Sequence, residues 1–315
     1  MRAAAIRPFS LLDYYLTSIR AGLGALHGPY AREAAARVVN PLSYPRLMEY
    51  QLVFQHLESI EGCRVLDVGS PKLPILLLAR HAHCELYSTD IRDYFIGPTA
   101  EFLVRLGLGD RLGQDIHLEA QDARQLSYPD ASFDRVFSIS VLEHIPGDGD
   151  AAAMREIARV LRPGGIVALT VPFAASGVCE EYLPGAVFGH RDLSGRTFYQ
   201  RRYDLTALRT RLIEPSGLEL VDSAFFGEPG IRFERYWNRI PMGWKVPLLW
   251  AQPLLAKLFL KQLGADQQAA ACGVALELRK PRRSDAAGPA DDASLPTDRA
   301  GQGTTVTVAA LSFQE

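Results

Sequence analysis

Three acidic side chains follow three successive apolar segments of this 315-residue chain. Asp67 lies in RVLDVGS, Asp90 ends CELYSTD and Asp122 ends IHLEAQD. Any one of them could be a helix N-cap. If the segments are parallel strands, however, the three carboxylates reach one edge, because open α/β sheets bind ligands at the carboxyl ends of their strands. A carboxylate there can accept both ribose hydroxyl protons. We therefore predict a nucleoside-binding crevice.

The order of the segments predicts the sheet that this crevice requires. Short β-branched or apolar runs alternate with stretches of helical spacing, which indicates a mostly parallel sheet covered on both faces. The predicted strands are 64–70, 84–90, 116–122, 133–142, 166–173, 218–226 and 272–280. The predicted helices are 73–82, about 98–107, 151–165, closed by Pro-Gly-Gly, and 204–217, with Asp204 as N-cap and Gly217 as stop.

Three segments lie outside this alternation. Residues 1–60 have helical spacing, with a further helix at about 45–57, and we expect this N-terminal helical segment to cap the site. Within a domain at 61–280, about 227–271 is a helical insertion between the last two strands, and an insertion of this length is usually functional or separately folded. The composition of 283–315 predicts a disordered tail.

Composition narrows the class of protein. A net charge of −2 and a pI near 6.4 argue against a nucleic-acid partner. The four cysteines form no C-x-x-C pair, which argues against a zinc knuckle or a redox pair and favours a reduced, cytoplasmic setting. Asp13 interrupts the apolar run near the start, so we do not interpret that run as a signal peptide.

Three motifs, VLDVGS, FDRVFSISVLEHI and LRPGGIVALTVP, resemble those of the class I S-adenosylmethionine-dependent methyltransferases. The resemblance covers about 60–173, with an extension to 280 left open, and is closest to the small-molecule, type-11-like branch. It implies a Rossmann-like, doubly wound α/β fold. The sheet would be mostly parallel and seven-stranded with an antiparallel last strand. S-adenosylmethionine would be the cofactor.

The resemblance also implies which residues bind that cofactor. The first motif would line its methionine and ribose part, Asp90 would bind the ribose hydroxyls, and Asp122 would approach the adenine amine. The fourth-strand motif would flank the amino-acid end. The predicted cofactor-binding residues are Asp67, Val68, Gly69, Ser70, Asp90, Ile91, Asp122, Ala123, Ser138 and Ile139.

The first motif departs from the family in its turn. The family shows G-x-G after the first acid, whereas here Gly69 is followed by Ser70, Pro71 and Lys72, so the turn must form differently. A nicotinamide dehydrogenase would need G-x-G-x-x-G to hold a pyrophosphate, and the departure therefore favours the methyltransferase. The missing glycine also motivates an alternative, a binding protein of this fold without turnover.

Glu143 and His144 are the predicted catalytic residues. They follow the fourth strand, beside the expected position of a methyl acceptor, and histidine can take a hydroxyl proton near neutral pH. Similar Glu-His pairs lie near a metal in some quinone-pathway O-methyltransferases, but we assign no metal ligand. Sequences like LEHI also occur in the superfamily where no base acts, so this role stays open.

The acceptor pocket is predicted after the fifth strand. His190, with Asp192 nearby, and the pair Arg201 and Arg202 are candidate substrate-binding residues, because arginines suit a phosphate, a carboxylate or a sugar phosphate. A solvated loop is the alternative. These features together suggest O-methylation of a small-molecule or glycan-like acceptor, and a lipid-linked acceptor is left open.

The stretch 240–263 has no acid, but it has two tryptophans and three lysines. Its prolines and lysines argue against a membrane-spanning helix. Peripheral membrane contact, a cap over the site and a dimer contact remain open, as does the oligomeric state.

Overall fold

The computed structural model describes residues 9–282 except 58, 187–194, 232 and 238. The predicted disordered tail at 283–315 lies outside this range. His190 and Asp192 also lie outside the described residues.

The centre of the fold is an eight-stranded sheet of order β3-β2-β1-β4-β5-β10-β8-β9. The strands of the chain are β1 Arg64–Val68, β2 Glu85–Asp90, β3 Ile116–Ala120, β4 Phe133–Ile139, β5 Leu161–Pro172, β6 Cys179–Pro184, β7 Arg196–Arg202, β8 Glu219–Gly227, β9 Lys261–Gln262 and β10 Ala271–Arg279. The pairs from β3 to β5 are parallel, and β10 is antiparallel to both of its neighbours. The predicted doubly wound fold with an antiparallel last strand is confirmed.

The prediction of seven strands was one short. The additional strand, β9, pairs with β8 at the edge of the sheet, where Phe226 lies opposite Gln262. The Leu263 N–H also donates to the Phe225 carbonyl over 2.8 Å. A two-residue strand has too little pattern to be recognised in sequence, and it covers backbone groups that an edge strand leaves unpaired.

Helices flank the sheet and precede it. They are α1 Leu11–Ala25, α2 Ala31–Val39, α3 Arg46–His56, α4 Leu73–His81, α5 Ile96–Arg105, α6 Gly149–Val160, α7 Leu205–Ala207, α8 Phe233–Trp237, α9 Met242–Lys245 and α10 Gln252–Phe259. The α1 helix begins with a capping box in which the Ser10 and Asp13 side chains each accept the other's backbone N–H. The α3 helix packs against β4, β5 and β10, which brings the N-terminal segment to the sheet.

Two predicted helices differ from the structure. The helix predicted at 151–165 ends at Val160, and Leu161 already pairs with Phe133 in the sheet. Pro163 favours extended backbone before it, so the segment continues as a strand. The helix predicted at 204–217 begins with the expected Asp204 cap but becomes a π-helix at Leu208–Ile213 and a 3₁₀ turn at Glu214–Ser216. Pro215 has no N–H for an α-helical hydrogen bond there.

The insertion between β8 and β10 packs on the N-terminal segment. The Gln252 side chain accepts from the Tyr44 backbone N–H and donates to Asn40. The Tyr44 hydroxyl donates to Glu228 over 2.5 Å. The N-terminal segment and the insertion are therefore joined. No helix in the described part of the chain is both long enough and apolar enough to cross a membrane.

Candidate active site

Asp67 organises the turn after β1 from inside the protein. Its carboxylate is fully buried and accepts from the Ser70 backbone N–H over 3.0 Å and from the Ser88 hydroxyl over 2.7 Å. Lys72 Nζ lies 3.2 Å from Asp67 Oδ2 and also donates to the Thr89 carbonyl over 2.9 Å. The side chain that we predicted to line the cofactor thus holds the loop after β1 in place.

The single-glycine turn is held by hydroxyl groups. Gly69 has a φ of +71°, and a Cβ there would lie 2.7 Å from Val141 Cγ1, so only glycine fits. The Ser70 hydroxyl accepts from the Ile139 N–H over 2.9 Å, and the Ser138 hydroxyl donates to the Val68 carbonyl over 3.0 Å. These bonds fasten the turn to the end of β4.

The Val68 and Ile139 side chains are buried in the core. Only their backbone groups remain for a ligand, and the backbone N–H of Ile139 is already taken by Ser70.

Asp90 is the predicted acidic site residue whose carboxylate has no side-chain hydrogen bond among the described residues. It is half-buried, and its hydrogen-bond partners are backbone N–H groups, those of Arg92, over 3.4 Å, and of Ile91. Burial raises the pKa of Asp90, while Lys72 opposes that rise. The next residue, Ile91, is 53% exposed at the same strand end. A carboxylate in this position can accept hydrogen bonds from a ribose diol, and the exposed apolar side chain next to it can cover a flat base.

Asp122 is engaged by its neighbour. Both of its carboxylate oxygens accept from the Arg124 guanidinium, over 2.7 to 3.1 Å, and Oδ1 also accepts the Arg124 backbone N–H. These hydrogen bonds hold the pKa of Asp122 below its usual range. Ala123 packs against the core beside it. Recognition of an adenine amine by Asp122 would require the Arg124 side chain to share the carboxylate.

His144 is fixed by the β6–β7 hairpin. Its Nδ1 lies 2.6 Å from the Tyr199 carbonyl, and because a carbonyl only accepts, Nδ1 carries a proton. Burial lowers the pKa of His144, which favours the neutral form of the imidazole. In this tautomer Nε2 has the lone pair, 3.8 Å from Glu143 Oε1. The site therefore holds a neutral histidine that can accept a proton at Nε2.

Glu143 is buried beside it, in the 3₁₀ turn Leu142–His144. Burial raises the pKa of Glu143 to about 8, with a further contribution from the charge of Glu49. Its Oε2 is buried without a hydrogen-bond partner among the described residues. Glu143 is thus mostly protonated near neutral pH and adds no charge to His144.

Glu49 belongs to this cluster, although the sequence pattern does not single it out. It lies on α3, is buried, and accepts from the Ser140 hydroxyl over 2.7 Å and from Arg46 over 2.6 Å. Ser140 has a φ of +51°, in the left-handed region, directly after β4. The one available signal was an acid among the apolar residues of RLMEYQLVF.

Arg201 and Arg202, predicted to bind the acceptor, both have acidic partners. Arg201 is buried, with Nη1 2.6 Å from Asp150 Oδ2 and Nη2 2.7 Å from Glu180. Arg202 Nε lies 2.6 Å from Glu181 across the hairpin, at the surface. The hairpin is thus an ordered element rather than a solvated loop, and it carries Tyr199 to His144.

Metal-ligating side chains do not gather at this site. Among the described residues, no group of three or more His, Cys, Asp or Glu side chains could hold a metal ion.

The comparisons with known proteins agree with this geometry. Residues 66–169 match the family described as "Methyltransferase domain". Methyltransferase GfsG of Streptomyces halstedii is 30% identical over 185 residues, 58% of this chain and 63% of that protein. Sterol 24-C-methyltransferase of Eremothecium gossypii is 34% identical over 109 residues, 34% of this chain and 28% of that protein.

The name of a third relative refers to an oxygen position. The 27-O-demethylrifamycin SV methyltransferase of Amycolatopsis mediterranei is 33% identical over 109 residues, 34% of this chain and 38% of that protein. The chain spans less than two thirds of the length of each of these relatives.

Residues 66–169 form a domain of the class I S-adenosylmethionine-dependent methyltransferase family, type-11-like branch. S-adenosylmethionine is the cofactor of this domain. The residues present fit it, because Asp90 offers a half-buried carboxylate without a side-chain hydrogen bond among the described residues, at the strand end where the resemblance places the ribose.

Proposed function

We propose that this protein transfers a methyl group from S-adenosylmethionine to a hydroxyl oxygen of a small-molecule or glycan-like acceptor. The observation that carries the proposal is the neutral, Nδ1-protonated imidazole of His144, held by the Tyr199 carbonyl. A base with a pKa below its usual value is ready to accept a proton at neutral pH.

Methyl transfer requires few further groups from the protein. When bound, the cofactor supplies a methyl group attached to a positively charged sulfur. That sulfur is the leaving group and becomes a neutral thioether. Asp90 and the turn at Gly69 orient the nucleoside, and the acceptor hydroxyl lies toward His144. As the new carbon–oxygen bond forms, His144 Nε2 takes the hydroxyl proton, so the charge passes from sulfur to imidazole.

The test is methyl transfer to a panel of hydroxylated metabolites and sugars by the wild type, His144→Ala and the surface variant His27→Ala. We expect His144→Ala to lower kcat by about 10²- to 10⁴-fold, and the wild-type rate to rise with pH to a plateau whose midpoint lies below 6.5. An unchanged rate in His144→Ala would remove the base assignment. Methylation of carbon or nitrogen alone would reject an oxygen acceptor.

We further propose that the acceptor is lipid-linked and that the protein works from the cytoplasmic side, at the membrane surface. In support, Trp244, Leu254 and Leu258 are exposed, Lys245 and Lys257 lie among them, and 240–263 contains no acid. Sedimentation with vesicles of neutral and phosphatidylserine-containing lipid tests this. Binding that is lost in Trp244→Ser supports surface contact, and no binding to either vesicle rejects it.

The second candidate is a binding protein of this fold without turnover. It is favoured by the single-glycine turn, in which Pro71 and Lys72 follow Ser70. Cofactor binding without transfer to oxygen, nitrogen or carbon acceptors would favour this candidate.

A further inference from the structure

A cavity of about 510 Å³ lies between the N-terminal helices and the cofactor domain. Its walls include Arg37 on α2, Arg46 and Tyr50 on α3, Lys72 after β1, and Phe102 on α5. This volume is typical of small-molecule sites. The walls combine three cations and one carboxylate, that of Glu33, with aromatic rings.

Two of the three cations are neutralised within the protein. Arg46 pairs with Glu49 over 2.6 Å, and Lys72 pairs with Asp67 over 3.2 Å. Arg37 differs from them. Within the described residues no carboxylate lies within 4.0 Å of its guanidinium, although Glu33 lies one helical turn earlier.

The Arg37 guanidinium is held over an aromatic ring. Its Cζ lies 4.5 Å from the centroid of Phe102. Burial lowers the pKa of Arg37 to about 10. A half-buried, positioned guanidinium facing a cavity is suited to a bidentate anion such as a carboxylate or a phosphate.

We propose that this cavity binds a carboxylate or phosphate group of the methyl acceptor, with Arg37 as the anion-binding residue. The proposal rests on the proposed function and assigns to Arg37 the role that the sequence suggested for Arg201 and Arg202. Tyr94 and Phe102 supply aromatic walls for the organic part of the acceptor.

The position of the cavity favours the acceptor over the cofactor. Gly69, Asp90, Ile91 and Ala123, which the resemblance assigns to the cofactor, are absent from its described lining. The cavity instead begins at Pro71, beyond the turn, and extends under the N-terminal helices. The N-terminal segment then recognises the acceptor as well as covering the site.

The test is calorimetric titration of the full chain with phenyl phosphate, S-adenosylhomocysteine and 5′-methylthioadenosine. The last of these lacks the amino-acid carboxylate of the cofactor product. The variants are Arg37→Met and Arg37→Lys, and the matched control is Arg32→Met, an exposed arginine on the same helix.

We expect Arg37→Met to weaken phenyl phosphate binding about tenfold or more, Arg37→Lys to restore part of it, and Arg32→Met to change nothing. Both nucleosides should bind all variants alike. Wild-type protein that does not bind phenyl phosphate, or equal binding by Arg37→Met, would overturn the assignment. If Arg37→Met loses binding of S-adenosylhomocysteine but keeps binding of 5′-methylthioadenosine, Arg37 binds the carboxylate of the cofactor instead. Wild-type protein that binds phenyl phosphate but neither nucleoside would contradict the proposed function.

Discussion

The Ser70 hydroxyl accepts a hydrogen bond from the Ile139 backbone N–H over 2.9 Å, joining the turn after β1 to the end of β4. Both groups are buried. This bond does part of the work that a second glycine does elsewhere in the family, because it fixes the path of the turn without requiring a further positive φ.

Ser70→Ala should therefore destabilise the fold and weaken cofactor binding together. The substitution leaves the Ile139 N–H buried and unpaired, which costs about 1 to 3 kcal/mol. Urea unfolding measures the first effect, and titration with S-adenosylhomocysteine measures the second. Ser176→Ala, at an exposed serine, is the control. Equal stability of Ser70→Ala and wild type would mean that the turn is held by other contacts.

Lys72→Met should be more damaging than a surface lysine change. It leaves the buried Asp67 carboxylate without its cation, and breaking a buried pair costs about 3 to 5 kcal/mol. The unfolding free energy of Lys72→Met and of the double variant Lys72→Met, Asp67→Asn measures this cost. The double variant should recover part of the loss. No recovery would mean that the ion pair does not account for it.

The β6–β7 hairpin provides a contrast between two adjacent arginines. Arg201→Met should cost about 1 to 3 kcal/mol, because the fully buried Asp150 loses one of its two arginine partners and keeps Arg211. Arg202→Met should cost less than about 1 kcal/mol, because its pair with Glu181 is at the surface. Thermal or urea unfolding of both variants decides. A similar cost for both would mean that the buried pair of Arg201 with Asp150 holds the hairpin no more firmly than the surface pair of Arg202 with Glu181.

The raised pKa of Glu143 predicts that the stability of the protein depends on pH. Its pKa rises from a usual 4.5 to about 8. At a pH between these two values, Glu143 therefore keeps its proton in the folded state and has lost it in the unfolded state. Stability contributed by this group is therefore full below pH 4.5 and falls as the pH approaches 8. The unfolding free energy of Glu143→Gln minus that of wild type should increase by a few kcal/mol from pH 5 to pH 8. A constant difference would mean that Glu143 is ionised throughout.

The sequence predicted the secondary-structure elements better than it predicted which side chains contact one another. Asp67, Asp90 and Asp122 were correctly placed at the ends of three parallel strands, because strand order and edge follow from local patterns. Their chemical environments did not follow from those patterns. Lys72 and Ser88 engage Asp67, and nothing in VLDVGS shows this.

Long-range contacts account for what the sequence missed. Glu49 meets Ser140 across 91 residues, and Arg201 meets Asp150 across 51. Such pairs depend on how α3 and the hairpin pack on the sheet, which spacing within one segment cannot reveal. The role of Arg202 at an acceptor stays a prediction, and His190 lies outside the described residues.

The central claim is a cofactor site whose ribose-binding group is Asp90. Its most direct test is calorimetric titration of wild type, Asp90→Ala and the exposed control Asp110→Ala with S-adenosylmethionine and S-adenosylhomocysteine. We predict that wild type and Asp110→Ala bind both compounds and that Asp90→Ala binds neither measurably. Equal binding by Asp90→Ala, or no binding by folded wild type, would contradict the site described here.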